Sequence, residues 1–227
     1  MVNRFRAVAL GAALVAVYSL MLPAQSGPAA SQQDIVQQLL PDGGIPKEIL
    51  VKPEQRDRTI RRLRAAQNTT DPQRAQQVAF LLAALNAEYE QNRDYLLHVL
   101  LGCNHPEIRY GCDDMTGFYL IYLWEHGHPE ILAPLLRTSI GSYNAAGSEG
   151  LGAFFGDLVQ KSPEKFLDAV GTFPVSTQKK ACSFAGLSDG GGLGAKGLAQ
   201  ARKRLRGIGG EVAFRCLKEI EDSNKPD

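Results

Sequence analysis

Residues 115–124 read MTGFYLIYLW, from Met115 to Trp124, and are apolar on nearly every side. A helix that is hydrophobic all round must be covered on several sides, so this stretch is predicted to be a central helix of an all-α fold. Asp113 and Asp114 stand just ahead of it, where carboxylates favour the positive end of a helix.

Working outward, the 3.6-residue period recurs in segment after segment, and the alternation expected of strands is hardly visible after residue 30. Upstream, Asp71-Pro72 marks a helix start: Asp accepts from free N–H groups, and Pro has none to lose at the first helical position. Ala75, Val78, Ala79, Leu82 and Leu85 then form an inward stripe. A second helix runs from about Glu88, with Leu96, Val99 and Leu100 facing in, and stops near Gly102. Downstream, Ile131, Leu132, Leu135 and Leu136 give one inner face, and Leu151, Phe154, Phe155, Leu158 and Val159 the next. Phe166, Leu167 and Val170 give a third. A helix with Ala181, Cys182, Phe184 and Ala185 follows Pro174. The glycine-rich stretch Gly190 to Gly197 is expected to be a flexible connector. The last helix carries Val212, Ala213, Cys216, Leu217 and Ile220.

The first thirty residues read as an export signal. Arg4 and Arg6 make a positive n-region, Ala7 to Leu22 is an apolar run, and small residues follow at Ala24, Ser26, Ala29 and Ala30. The run is 16 residues long, short of the ~20 a spanning helix needs, and no cysteine closes it. Cleavage is expected after Ala24, which gives a signal peptide over 1–24, a flexible arm or linker over 25–53 and an α-helical domain over 54–227. In the arm, Ile35, Val36, Leu39 and Leu40 make a short helical patch before Pro41, Gly43, Gly44, Pro46 and Pro53 break the chain. The domain's first helix, Glu54 to Ala66, sets Ile60 and Leu63 inward and Arg56, Arg58, Arg61, Arg62 and Arg64 around the rest.

Hydrophobic residues make up 44% of the chain and charged residues 22%, near globular averages, which excludes a disordered chain and an integral membrane protein. The formal charge is +1. Without Arg4 and Arg6 it falls to about −1, so no global field steers the chain to nucleic acid or acidic lipid.

Export makes an even count of cysteines a disulfide framework before a metal site. Of the three pairings open to Cys103, Cys112, Cys182 and Cys216, the preferred one joins Cys103 to Cys112 across a short interhelical loop. It also joins Cys182 to Cys216 on two inward helix faces. In the chain-entropy account the closures contribute roughly 2.5–3 and 4 kcal/mol.

One local pattern recurs: His105-Pro106-Glu107, His128-Pro129-Glu130 and Ser162-Pro163-Glu164 each follow a break and open an apolar-periodic segment. Pro sits at the first helical position and Glu in the positive first turn. The prolines are 23 and 34 residues apart, which excludes a strict repeat. Residues 71 to 222 nevertheless resemble the helical hairpin arrays of HEAT-like and armadillo-like domains. The resemblance implies a concave binding surface and no catalytic group. A compact orthogonal helical bundle fits the same pattern.

All four histidines, His98, His105, His126 and His128, fall within 31 residues, near Cys103, Cys112, Asp113, Asp114 and Glu125. Zinc would need three or four of these converging, but two of the histidines belong to Pro-initiated turns and no metal site is favoured. Paired carboxylates such as Asp113, Asp114 and Glu125 suit glycoside hydrolysis, yet helix-end charge accounts for the first two. Gly186-Leu187-Ser188-Asp189-Gly190 spells a nucleophile elbow, which works only after a strand. Gly192 to Gly197 spells a dinucleotide fingerprint, which needs the same. The runs Arg56 to Arg64 and Arg202 to Arg206 lack interleaved aromatics and read as solvated helix faces. No catalytic residue and no cofactor are assigned.

The expectation is therefore an exported, periplasmic or secreted helical domain that binds another envelope or secreted protein or peptide, with no nucleic acid and no membrane contact beyond an uncleaved signal segment. Two alternatives stand beside it: a metal-dependent hydrolase built on the 98–128 histidines, and an envelope domain whose basic first helix docks to a larger assembly.

Overall fold

The computed structural model describes residues 34–41, 44–103, 115–140, 145–188 and 192–225. The signal peptide, its cleavage point, the Cys103–Cys112 closure, His105, Asp113 and Asp114 lie outside them. Eleven α-helices and no strand are found among the described residues, so the fold is all-α. They are α1 (Ile35–Leu39), α2 (Pro53–Ala66), α3 (Pro72–Ala84), α4 (Tyr89–Cys103), α5 (Met115–Glu125), α6 (Leu132–Ser139), α7 (Ala145–Lys161), α8 (Pro163–Gly171), α9 (Val175–Leu187), α10 (Gly194–Ile208) and α11 (Glu211–Ser223), with a 3-10 turn over Pro129–Ile131 leading into α6.

Helix α5 is buried over Thr116, Gly117 and Tyr119 to Leu123, as its composition requires. Its neighbour α3 is a second central helix: every residue from Val78 to Ala83 is buried, so the predicted stripe understates its covering. Phe80 on α3 stacks on Tyr119 of α5 with ring centroids 4.3 Å apart and meets Tyr122 edge-on at 5.3 Å. Beside them the buried Thr116 hydroxyl donates to Gln76 Oε1 at 2.5 Å. Asp71 caps α3 by accepting from the Gln73 N–H at 3.0 Å. The helix ends in a Schellman turn in which Asn86, at φ +51°, takes the left-handed position that glycine often fills. There the Ala87 N–H donates to the Leu82 carbonyl and the Asn86 N–H to that of Ala83. A short turn then returns the chain along α3 as α4.

The stretch expected to be a flexible arm belongs to the domain over its described part. Ile35, Val36 and Leu40 are buried in the common core, and the Ile49 N–H donates to the Tyr122 hydroxyl at 3.0 Å. The prolines and glycines stop the helix without detaching the chain, because the apolar patch before them has a core to enter. Residues Gln33–Asp227 accordingly make one compact unit, and the domain begins well ahead of residue 54.

Two details correct the sequence reading, and the packing of α9 on α11 adds a third that it did not address. The glycine-rich connector is shorter than expected, since Gly194 to Gly197 already form the first turn of α10. Gly197 is buried there against Gln160 of α7. The most intimate helix pair, α9 with α11, is not an antiparallel hairpin. Gln178, Cys182 and Gly186 of α9 meet Arg215, Cys216 and Ile220 of α11 in rising order, so the two run parallel and α10 returns between them. Small residues permit the approach: Cys182 and Cys216 form a disulfide with Cα atoms 4.9 Å apart, and a Cβ on Gly186 would stand 3.0 Å from the Ile220 Cα. Val99 and Phe154, both expected to face in, are only partly buried.

Candidate binding groove

The segment linking α5 to α6 shapes the most chemically varied surface among the described residues. Gly127, at φ +106°, ends α5 in a second Schellman turn, with the His128 N–H donating to the Leu123 carbonyl at 3.2 Å. Pro129 then starts the 3-10 turn, where a missing N–H costs nothing. This reversal points two histidines to different tyrosines. His126 stacks on Tyr122 at 3.8 Å between centroids, and its Nδ1 lies 2.7 Å from the Tyr122 carbonyl oxygen. His128 stacks on Tyr89 of α4 at 3.9 Å.

Tyr89 donates its hydroxyl proton to Glu130 Oε1 at 2.5 Å, and His128 Nδ1 lies 3.5 Å from the same carboxylate. Burial, then the neighbouring carboxylate, pushes the Tyr89 phenol above its usual range. Burial also works to raise the Glu130 carboxyl, but the Tyr89 hydroxyl, the residue's own backbone N–H and His128 together outweigh it and hold the group below its ordinary value. The guanidinium of Arg93 stands 5.5 Å from the Tyr89 ring centroid and pairs with Asp94 at 2.7 Å. The cluster pins the start of α4 to the start of α6.

Two open grooves flank α6 and share Ala133 as their common wall. One, of about 500 Å³, lies between Leu97, His98 and Leu101 of α4 and Pro134, Arg137 and Thr138 of α6. Leu101 is 58% exposed there. The other, of about 470 Å³, runs between the α5 end and α8 and is lined by Trp124, Glu125, Glu130, Lys165, Asp168 and Thr172 among others. Its aromatic wall is fixed: Phe154 meets Trp124 edge-on at 5.4 Å, and the Lys165 ammonium sits 5.1 Å from a Trp124 ring centroid. With Lys165 held over the indole, Glu125 and Asp168 have no hydrogen-bond or ion-pair partner among the described residues. The groove thus presents three carboxylates against one ammonium beside an apolar ring.

Of the residues singled out for metal chemistry, His98, Glu125, His126 and His128 have described side chains. Among the described residues no group of three or more His, Cys, Asp or Glu side chains is placed to hold a metal ion. His98 belongs to the α4/α6 groove, while His126 and His128 are taken up by separate tyrosines. Ser188 follows helix α9 rather than a strand, and so does the Gly192 to Gly197 stretch, so neither the elbow nor the dinucleotide reading has the support it needs. Of the basic runs, Arg202 pairs with Glu221 at 2.6 Å and Arg64 with Glu88 at 2.5 Å, whereas Arg58, Arg61, Arg204 and Arg206 point to solvent. No described helix is long and apolar enough to cross a membrane.

The groove-forming pair Trp124 and Asp168 was not anticipated. Its partners sit 44 residues apart on helices whose outward positions carry no local signal; the one available hint was an indole at the end of an otherwise covered helix. Comparison with protein families, with curated proteins and with solved structures yields no match to this chain.

Proposed function

We propose that this chain is an exported, non-enzymatic helical domain of the cell envelope that holds a lysine- or arginine-bearing segment of another protein in the groove between α5, α6 and α8. The observation that carries this reading is the pair of unpartnered carboxylates, Glu125 and Asp168, flanking Trp124 in an open groove. With Lys165 over the Trp124 ring, the two carboxylates suit an incoming cationic side chain, which gains ionic attraction while an adjacent apolar residue meets the indole. The disulfide between Cys182 and Cys216 supports an oxidising compartment, in keeping with the signal segment read from residues 1–24. A solenoid's concave face and a groove on a compact bundle serve the same end, and the parallel α9/α11 pair, with α10 antiparallel between them in sequence, is compatible with both.

The test is selection from a random peptide library on the immobilised protein, followed by titration of the winners. Enriched sequences should carry Lys or Arg next to an apolar residue, and the Glu125→Gln/Asp168→Asn variant should bind them about tenfold more weakly. Enrichment without basic residues, or affinity indifferent to the two carboxylates, would overturn the assignment.

A further inference from the structure

Helix α2 buries Thr59, Ile60 and Leu63 and turns the rest of its circumference to water. Between residues 47 and 66 the chain carries seven basic residues against three acidic ones, although the protein as a whole is near neutral. Part of this charge is committed inward: Arg56 donates to the Leu85 carbonyl at 2.7 Å, Arg62 reaches Gln38, and Arg64 pairs with Glu88. What remains exposed is of both signs with a cationic excess, since Glu48 and Glu54 stand among the cations and Arg61 borders a separate groove beside Arg64 and Glu88. Arg58 and Arg61, three residues apart on one face, and Lys47 and Lys52 in the preceding segment are exposed and have no partner among the described residues. Leu50 lies between the two lysines, 77% exposed, and borders the same shallow groove as Arg58.

An exposed leucine among four unpaired cations is the chemistry that docks at a lipid–water boundary. The cations attract anionic headgroups and the apolar side chain enters below them. An anionic bilayer answers both features with one surface, charge at the headgroups and hydrocarbon just beneath them. We infer that the Lys47–Arg61 face seats the domain on an anionic bilayer surface, with Leu50 inserted. This is independent of the groove, which is built from α5, α6 and α8, so either assignment can fail alone.

The experiment is lysine footprinting by acetylation and mass spectrometry on the full chain, a local readout whose contrast between anionic and neutral vesicles separates this face from whatever residues 7–22 do in lipid. With vesicles of phosphatidylglycerol and phosphatidylcholine, Lys47 and Lys52 should react at least fivefold more slowly, while Lys179 and Lys180 of α9 keep their rates. Pure phosphatidylcholine should slow none of them. Each cation near the surface is worth about fivefold in partitioning, so Arg58→Gln/Arg61→Gln should raise the lipid needed for half protection about 25-fold. Leu50→Ser should weaken docking, and Arg204→Gln/Arg206→Gln on α10 should not. All these residues are exposed, and circular dichroism checks that the variants keep their helices. Equal rates with both vesicle types, protection that survives Arg58→Gln/Arg61→Gln, or equal protection by inorganic phosphate or polyglutamate would overturn the inference; the last two would assign the face to a soluble anion or an acidic protein.

Discussion

Arg74 and Asp34 form a two-pronged ion pair 40 residues apart in sequence, Nη1 to Oδ2 at 2.5 Å and Nη2 to Oδ1 at 2.6 Å. The same Asp34 oxygen accepts from the Val36 N–H at 3.0 Å, so one carboxylate both caps α1 and ties it to α3.

Removing that carboxylate should loosen the start of the domain. Asp34→Ala is expected to cost about 1–2 kcal/mol in urea unfolding, most of it the cap; Asp34→Asn, which keeps a capping oxygen, should cost under about 1 kcal/mol because the pair is partly exposed. The Arg74 guanidinium holds the Asp34 carboxyl below its ordinary value of 3.8, burial opposing it. The charge therefore stabilises fully above that value and the benefit disappears as pH falls through the lower folded one. Stability curves of the native protein and Asp34→Asn should separate at neutral pH and converge in acid.

Tyr89→Phe should raise the Glu130 carboxyl. Burial is unchanged by the substitution, while the hydroxyl that opposes it is lost. Carboxyl NMR titration reads the shift directly, and an unmoved Glu130 would refute the assigned cause.

Two glycine substitutions should act with opposite sign. A Cβ at Gly152 would stand 2.0 Å from the Ser188 carbonyl oxygen, a backbone atom, so Gly152→Ala must force α7 and α9 apart and should cost about 3 kcal/mol or more. Gly171, at the end of α8, has nothing within 4 Å of the same position. Gly171→Ala should stabilise by about 0.5–1 kcal/mol. Thermal melts of the two variants check both.

Reducing Cys182–Cys216, or replacing both residues by alanine, should lower stability by roughly 4 kcal/mol in the chain-entropy account. Both side chains are fully buried, so reduction should proceed at the rate of local opening. Urea midpoints with and without reductant measure the loss.

The sequence made the helices legible because their signals are local. Asp71-Pro72 and Ser162-Pro163 announce helix starts, and MTGFYLIYLW announces a covered helix, in residues that touch one another along the chain. The Cys182–Cys216 disulfide was legible for a related reason, since both cysteines fall within apolar stripes. Three matters escaped because they depend on contacts between distant segments. Residues 35–40 look like an isolated patch until Ile60, Leu63 and Val78 supply a core. Gly194 to Gly197 look like a loop until Gln160 packs against Gly197, and the direction of α11 relative to α9 is not written in either helix. Glu125 attracted attention as a possible metal or hydrolytic residue through its neighbours in sequence. Its position beside Trp124 and Asp168 is a product of α8, which no reading of residues 98–128 alone could contain.

The disulfide in the parallel seam of α9 and α11 joins cysteines 34 positions apart and closes the chain between them into a covalent ring. A protease that cuts once within α10 therefore releases nothing: the two pieces stay joined through sulfur, with α9 and α11 still in contact. Such a nicked chain would migrate as one species until reduced. The turn at Gly209 and Gly210, between α10 and α11 and inside that ring, is thus a place where the polypeptide can be severed, lengthened or carry a foreign insert while the core keeps its connectivity.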